Sequence, residues 1–440
     1  MRESDLDMTQ SLAPTGAAAR PLTNRWLVLA LLVLIAVLNY ADRFLMSGLA
    51  QPIKHAFGIG DAMMGLLMGP AFALLYIIFT IPAARLADTR SRVLIITGGC
   101  AVWSAFTALS GMATNEWMLA LARVGVGIGE AAYQAPADAL IAAYFPLEQR
   151  GKALALLGSA IYFGQIAGFA GGPALAEVWG WRPAFYALGT TGLIVAATAA
   201  LVIREPAREA ASATAPAAPP LGTVLRRIIA TPSIRLVALL LAFGTLSGMT
   251  FGLWGPALFE RAYGLSNKAA GATFAFTFGL PGLIGMLLFG ALADRLTHRS
   301  RAAALGLGAA SLAATTTLIL AIVWTGDLAV ARMLAIPAGL LGGGWSVGVF
   351  ATLQYLLPNS LRATGTGVVL LASGFLGSVI GPVAAGQMSD WVADPLAGAW
   401  GLRIGLTVAL PLGYIGAWAG WRAMARLEQD RAALREGGAD

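Results

Sequence analysis

The segment "LNYADRFLMS" (38–47) places Asp42 beside Arg43 within a run, Trp26 to Ala50, that is otherwise almost free of charge. Neighbours on a helix point about 100° apart, so the two cannot neutralise one another and each needs a partner on another element. A second apolar run offers the complement. In "ARVGVGIGEAAY" (122–133), Arg123 and Glu130 stand seven residues apart, two turns on one helix face and about 10 Å along the axis. Two acids and two guanidinium groups sum to zero charge. Arginine keeps its proton throughout and can serve as a fixed counter-ion, whereas a carboxyl group answers both to loss of water and to a nearby cation. A quartet of this kind can therefore take up and release protons as its members move. Two other readings fit the same residues: a purely structural staple between helices, or an anion held directly by the forked guanidinium groups of Arg43 and Arg123.

Other reactive residue types are sparse. Cys100 is the only cysteine, so no intrachain disulfide can form, and His55 and His298 lie far apart in no metal-binding pattern. No metal and no cofactor is expected. Without a nucleophile and base in an apolar run, an enzyme is not expected either.

The elements that must position the quartet follow from composition. Hydrophobic residues make up 58% of the 440 and charged residues 12%, whereas soluble domains carry about a quarter charged. At about 20 residues per membrane-spanning helix there is room for about twelve. Runs long enough to span occur at 26–50, 62–84, 93–112, 117–143, 153–175, 183–203, 236–258, 269–293, 302–324, 329–356, 364–387 and 402–424. In lipid every backbone N–H and C=O must be satisfied within the segment, which makes these runs helices. The fold class is thus an all-α membrane protein of twelve helices.

Although the net charge is +7, its distribution explains it without a nucleic-acid partner. Arg85, Arg90, Arg92, Arg150, Arg226, Arg227, Arg295 and Arg362 collect in alternate loops, the pattern of cytoplasmic sides. Both termini are accordingly expected in the cytoplasm. Residues 1–25 are polar with early acids and read as a cytoplasmic tail rather than a secretory leader. The expected organisation is a bundle over 26–203, an Ala/Pro-rich linker over 204–234, a second bundle over 235–425 and a tail over 426–440.

The two bundles repeat one another. "ARLADTRSR" (84–92) matches "GALADRLTHR" (290–299), aligning Asp88 with Asp294; "FPLEQRGKA" (145–153) matches "LPNSLRATG" (357–365), aligning Pro146 with Pro358 and Arg150 with Arg362. "GQIAGFAGGP" (164–173) matches "GFLGSVIGP" (374–382), aligning Gly172 and Pro173 with Gly381 and Pro382. Six intervening spans keep both copies in the same orientation. Gly164, Gly168 and Gly172 form a smooth stripe, expected to face the equivalent stripe of the eleventh helix at Gly377 and Gly381.

With these motifs the chain resembles the major facilitator superfamily, on "GALADR" (290–295) above all. More narrowly it resembles the Spinster family, on "NYADR" (39–43), "FGIGDAMMGLL" (57–67), "ARVGVGIGEAAYQAPADALIAAYFPLEQRGKA" (122–153), "GWRPAF" (180–185) and "REP" (204–206). The first-half loop departs from the superfamily pattern, with Ala84 at the usual glycine and Thr89 at the usual arginine. The resemblance implies two six-helix bundles rocking about a central cavity lined by the first and fourth helices, which would bring Asp42 and Arg43 to Arg123 and Glu130. The four intramembrane charges point to proton-coupled transport, with Asp42 and Glu130 as proton carriers and Arg43 and Arg123 as their charge partners or headgroup contacts, while the resemblance implies movement by the proton gradient or by facilitated diffusion. Phe44, Tyr76, Tyr133, Gln165, Trp254 and Trp345, with Met68 and Met249, are the expected cavity lining. A half-polar, half-apolar cavity suits an amphiphile, and the resemblance implies a lysophospholipid or sphingosine-type lipid carried by a monomer; a proton-coupled symporter or exporter of small organic anions or drugs is the alternative. Asp88, Arg92, Asp294 and Arg295, with Asp138, Arg150 and Arg362 as partners, are expected to hold a cytoplasmic gate.

Overall fold

The computed structural model describes residues 23–206, 221–357, 361–392 and 399–436. Most of the expected N-terminal tail, the middle of the linker and Pro358 lie outside the described residues. Among the described residues every regular element is helical, and eleven helices are long and apolar enough to cross a membrane.

The first half comprises α1 (Arg25–Gly48), α2 (Asp61–Thr89), α3 (Arg92–Gly111), α4 (Glu116–Glu130, resumed as Gln134–Tyr144), α5 (Leu147–Trp179) and α6 (Trp181–Val202). The second comprises α7 (Pro232–Tyr263), α8 (Asn267–Arg299), α9 (Arg301–Trp324), α10 (Leu328–Leu356), α11 (Thr364–Trp391) and α12 (Trp400–Met424). The starts follow from capping chemistry. Asn24, Ser91, Asn115, Ser266, Ser300 and Asp327 each accept a backbone N–H of the first turn, satisfying a donor that the helix itself cannot.

The expected fourth span is the one that falls short of a continuous membrane-crossing helix. It turns at 131–133, directly after Glu130. Pro136 explains the break: its ring cannot tolerate the carbonyl four residues earlier, at Ala132. The linker also differs from a plain tether, because Leu221–Ala230 is helical and α7 already begins at Pro232. The C-terminal segment Leu427–Glu436 is likewise a docked helix, with Leu427 buried and Asp430 accepting the backbone N–H of Ser233 at 2.7 Å.

Four helices break at matching points. Gly69 and Pro70 interrupt α2, and π-helical turns at Ala167–Gly171, Ala275–Gly279 and Leu376–Ile380 precede Pro173, Pro281 and Pro382 in α5, α8 and α11. Proline removes one rung of the hydrogen-bond ladder, and the wider turn absorbs the mismatch.

The glycine stripe of α5 does not face α11. A Cβ at Gly168 would stand 2.7 Å from Phe44 Cβ and 2.8 Å from the Ala41 carbonyl, and Gly164 and Gly172 abut Ala41 and Leu45, so the stripe seats α1. Gly377 and Gly381 meet Thr245 and Thr250 of α7 in the same way. Each stripe thus packs the first helix of its own half. Gly168→Ala is expected to lower thermal stability in detergent by about 1–3 kcal/mol through overpacking, whereas Gly171→Ala, with nothing within 4 Å of its Cβ position, should melt like the parent.

Two buried apolar clusters belong to one half each. The third spans both, joining Phe44, Leu67 and Phe169 to Leu253, Trp254 and Phe274. The Phe169 ring lies 4.9 Å from Phe44 and 5.2 Å from Phe274.

Candidate functional site

Two ion pairs tie α1 to α4. Arg123 Nη1 donates to Asp42 Oδ2 at 2.6 Å, and both side chains are 1% exposed. Thr107 of α3 donates to the other oxygen of Asp42 at 2.9 Å. One helical step away, Arg43 Nε donates to Glu130 Oε2 at 2.7 Å; Glu130 is fully buried and Arg43 is 22% exposed. Asp42 and Arg43 point about 100° apart on α1, so each meets a different residue of α4, and these two partners stand about 10 Å apart along its axis.

The Arg43 guanidinium sits in an aromatic cup, 4.6 Å from the Tyr76 ring, 4.7 Å from Phe72 and 5.3 Å from Tyr40. Ring faces favour a partly desolvated cation. Glu130 closes the first part of α4 and so stands at the negative end of a helix dipole, an unfavourable place for an anion that Arg43 offsets. Glu130 Oε1 and Arg123 Nε have no hydrogen-bond partner among the described residues. Buried polar atoms of this kind cost free energy, so a proton or a substrate group can be received there.

A second site ties the two halves together at the end of the bundle away from Arg25. Asp61, the first residue of α2, accepts both Nη atoms of Arg261 at 2.6 Å, the Ser389 hydroxyl at 2.6 Å and Lys54 Nζ. Asp390 accepts the backbone N–H groups of Asp61 and Ala62 at 2.8 and 2.7 Å, so a residue of the second half caps a helix of the first. Arg261 Nε also donates to Gln51 at 3.0 Å, and Asn267 donates to the Gly48 carbonyl at 2.9 Å. At the opposite end Ser91 donates to Glu205 at 2.9 Å within the first half, and Tyr355 to Glu428 at 3.4 Å within the second.

The expected cavity lining divides. Gln165, Trp345 and Met249 border a cavity of about 200 Å³ between α5 and the second-half helices, together with Tyr162, Phe278 and Thr315. Tyr76 stacks on Phe72 at 5.4 Å beside Arg43. Phe44, Tyr133 and Trp254 do not line it: Phe44 is buried against Phe169, the Tyr133 hydroxyl is tied to the Leu32 carbonyl at 2.6 Å, and Trp254 is buried with its Nε1 on the Pro382 carbonyl at 3.0 Å. Met68 is buried too. Of the expected gate residues, Asp88, Asp294 and Arg295 are exposed and Arg92 and Arg362 half-buried. Asp138 accepts from Gln134 at 3.1 Å and Arg150 donates to the Phe145 carbonyl at 3.0 Å, both within the first half.

The sequence reading did not single out Asp61, Arg261, Ser389 or Asp390. A usable signal was "FGIGD" (57–61) repeated as "YGLSN" (263–267), with Gly58 and Gly264 both left-handed, at φ 66° and 62°. That repeat aligns Asp61 with Asn267, two of the side chains that reach across the halves.

The Major Facilitator Superfamily profile matches residues 32–382. An MFS-type efflux pump of Mycolicibacterium smegmatis is 32% identical over 409 residues, covering 92% of this chain and 94% of its own. Protein spinster homolog 1 of Homo sapiens is 29% identical over 435 residues, covering 92% and 81%. Among solved structures, a bacterial homolog of the human lysosomal transporter Spinster, inward-facing and unoccupied, superimposes with a TM-score of 0.80 at 26% identity, covering 92% of this chain and 98% of that one.

Proposed function

We propose that this chain, which belongs to the Major Facilitator Superfamily and is a multi-pass transporter of the Spinster type rather than an enzyme, moves an amphipathic lipid, such as a lysophospholipid or sphingosine-type lipid, by proton-coupled alternating access. The observation that carries the reading is the pair of ion pairs between α1 and α4. One of them is fully buried, and the other is partly exposed at Arg43. Intramembrane carboxylates are costly and mark proton or substrate paths. Asp42 and Glu130 carry the proton, and Arg43 and Arg123 hold the released charge or the anionic part of a headgroup.

The cavity beside Gln165 and Trp345 is mostly apolar and suits an alkyl chain, while the unpartnered hydroxyls of Ser247 and Thr315 in its wall suit a polar group or water. The chain sits as a monomer in a bacterial inner membrane with both termini cytoplasmic, in keeping with the alternate-loop arginines. When the outer contacts part, Asp88, Arg92, Asp294 and Arg295 close the cytoplasmic end with Asp138, Arg150 and Arg362.

A second reading, export of drugs or small organic anions, is favoured by the name of the mycobacterial relative. Proteoliposomes with an imposed pH gradient separate the two. Labelled lysophospholipid should move with the gradient and collapse it, whereas a labelled organic anion or cationic dye should not. Movement of the anion or dye alone would overturn the lipid reading.

A further inference from the structure

The lipid-facing seam between α1 and α5 is not filled by protein among the described residues. A groove of about 500 Å³ runs there, lined by Trp26, Leu29, Val33, Val37, Leu156 and Phe163. Trp26, Leu156 and Phe163 are roughly half exposed, and on a helix surface inside a membrane such exposure means contact with hydrocarbon. From Arg25 to Val37 the groove follows α1 for about 18 Å at 1.5 Å per residue, close to the depth of one leaflet of a core about 30 Å thick.

Both walls end in a cation on the side of the N-terminus. Arg25 stands one turn before Leu29 on α1, and Lys152 one turn before Leu156 on α5. The Arg25 guanidinium is steadied over the rings of Phe145 and Trp26, at 5.8 and 5.9 Å. Neither cation forms an ion pair with a described residue, although Glu148 lies one turn beyond Lys152 toward the water.

The second half shows what such a seam demands. Where α7 and α11 meet, the equivalent cytoplasmic end is covered by Leu221–Ala230, whose Val224 and Ile228 are buried in the half's own core. The first half has no described counterpart.

We propose that the α1–α5 groove holds one acyl chain of an anionic phospholipid from the leaflet on the side of the termini, with its phosphate between Arg25 and Lys152. Length, apolar lining and a cation one turn beyond the lining on each wall match a negatively charged headgroup on a long chain and offer a zwitterionic lipid less. This rests on the membrane topology alone and is independent of the transported substrate.

Native mass spectrometry of the full chain, titrated with phosphatidylglycerol and separately with phosphatidylcholine, tests the site. The parent should retain one phosphatidylglycerol in preference to phosphatidylcholine. The double variant Arg25→Gln/Lys152→Gln should weaken phosphatidylglycerol about tenfold and leave phosphatidylcholine unchanged. Val33→Trp, which fills the groove, should lose the bound lipid while keeping its melting temperature in lipid-free detergent. Equal retention of the two lipids, or unchanged retention in the charge variant, would overturn the proposal. So would a rise of more than about tenfold in phosphatidylglycerol binding on deleting residues 2–20, which would make the chain's own N-terminal segment the occupant.

Discussion

Arg123→Gln should lower the thermal stability of the protein in detergent and abolish gradient-driven transport. Its partner Asp42 is 1% exposed and keeps only Thr107 once the guanidinium is gone. Breaking a buried pair by removing one member costs about 3–5 kcal/mol, chiefly because the other charge is stranded, whereas replacing both members is often near neutral. The double variant Asp42→Asn/Arg123→Gln should therefore regain most of the lost stability without regaining proton coupling. Melting followed by tryptophan fluorescence, with Trp103 buried nearby in the first-half core, measures the difference. A single variant that melts like the parent would mean that Arg123 does not hold Asp42 in the membrane.

Arg261→Ala should release the end of the bundle where Asp61 holds the two halves together. The two bonds from Arg261 to Asp61 cross from the second half to the first, and the same carboxylate is held by Ser389. Parting the halves leaves Asp61 with Lys54 and takes from it both bonds of Arg261 and the Ser389 hydroxyl. The closed state is thus favoured by these cross-half bonds. A loss of about 2 kcal/mol of cross-half contact moves a two-state ratio about thirtyfold. Electron-spin distance measurements between labels on cysteines introduced at Thr114 and Gly326, both exposed at outer helix ends, in a Cys100→Ser background should show a longer population dominating in Arg261→Ala. Lys268→Ala, which removes the exposed pair with Glu177, should leave the distances unchanged, since such surface pairs contribute under about 1 kcal/mol. Unchanged distances in Arg261→Ala would remove Asp61 from the gate.

The charge quartet was legible because a charge in an apolar run is conspicuous and because helical spacing restricts its partners. The spans were legible for the same reason: length and hydropathy decide them in lipid. The break after Glu130 was less so, as Pro136 signals a kink without saying that a catalytic-looking acid will end the first segment. The outer site was hidden by its position. Lys54, Asp61, Arg261 and Asp390 lie at span ends, where charge is ordinary, and only the fold shows that they converge. The aromatic candidates failed where helix rotation turned them inward: Phe44, Tyr133 and Trp254 carry the same residue types as a cavity wall and pack as core. The stripe of Gly164, Gly168 and Gly172 announced close approach but not the neighbour, because a small face fits any helix.

The most direct measurement compares two assays on Glu130→Gln in proteoliposomes: accumulation of labelled lysophospholipid driven by a pH gradient, and exchange of the same lipid with no gradient. Glutamine keeps the shape and a hydrogen-bonding group toward Arg43 but cannot release a proton. The account predicts that accumulation disappears while exchange continues within about threefold of the parent rate, a change of under 1 kcal/mol in the barrier to moving substrate. Accumulation that survives in Glu130→Gln would contradict it.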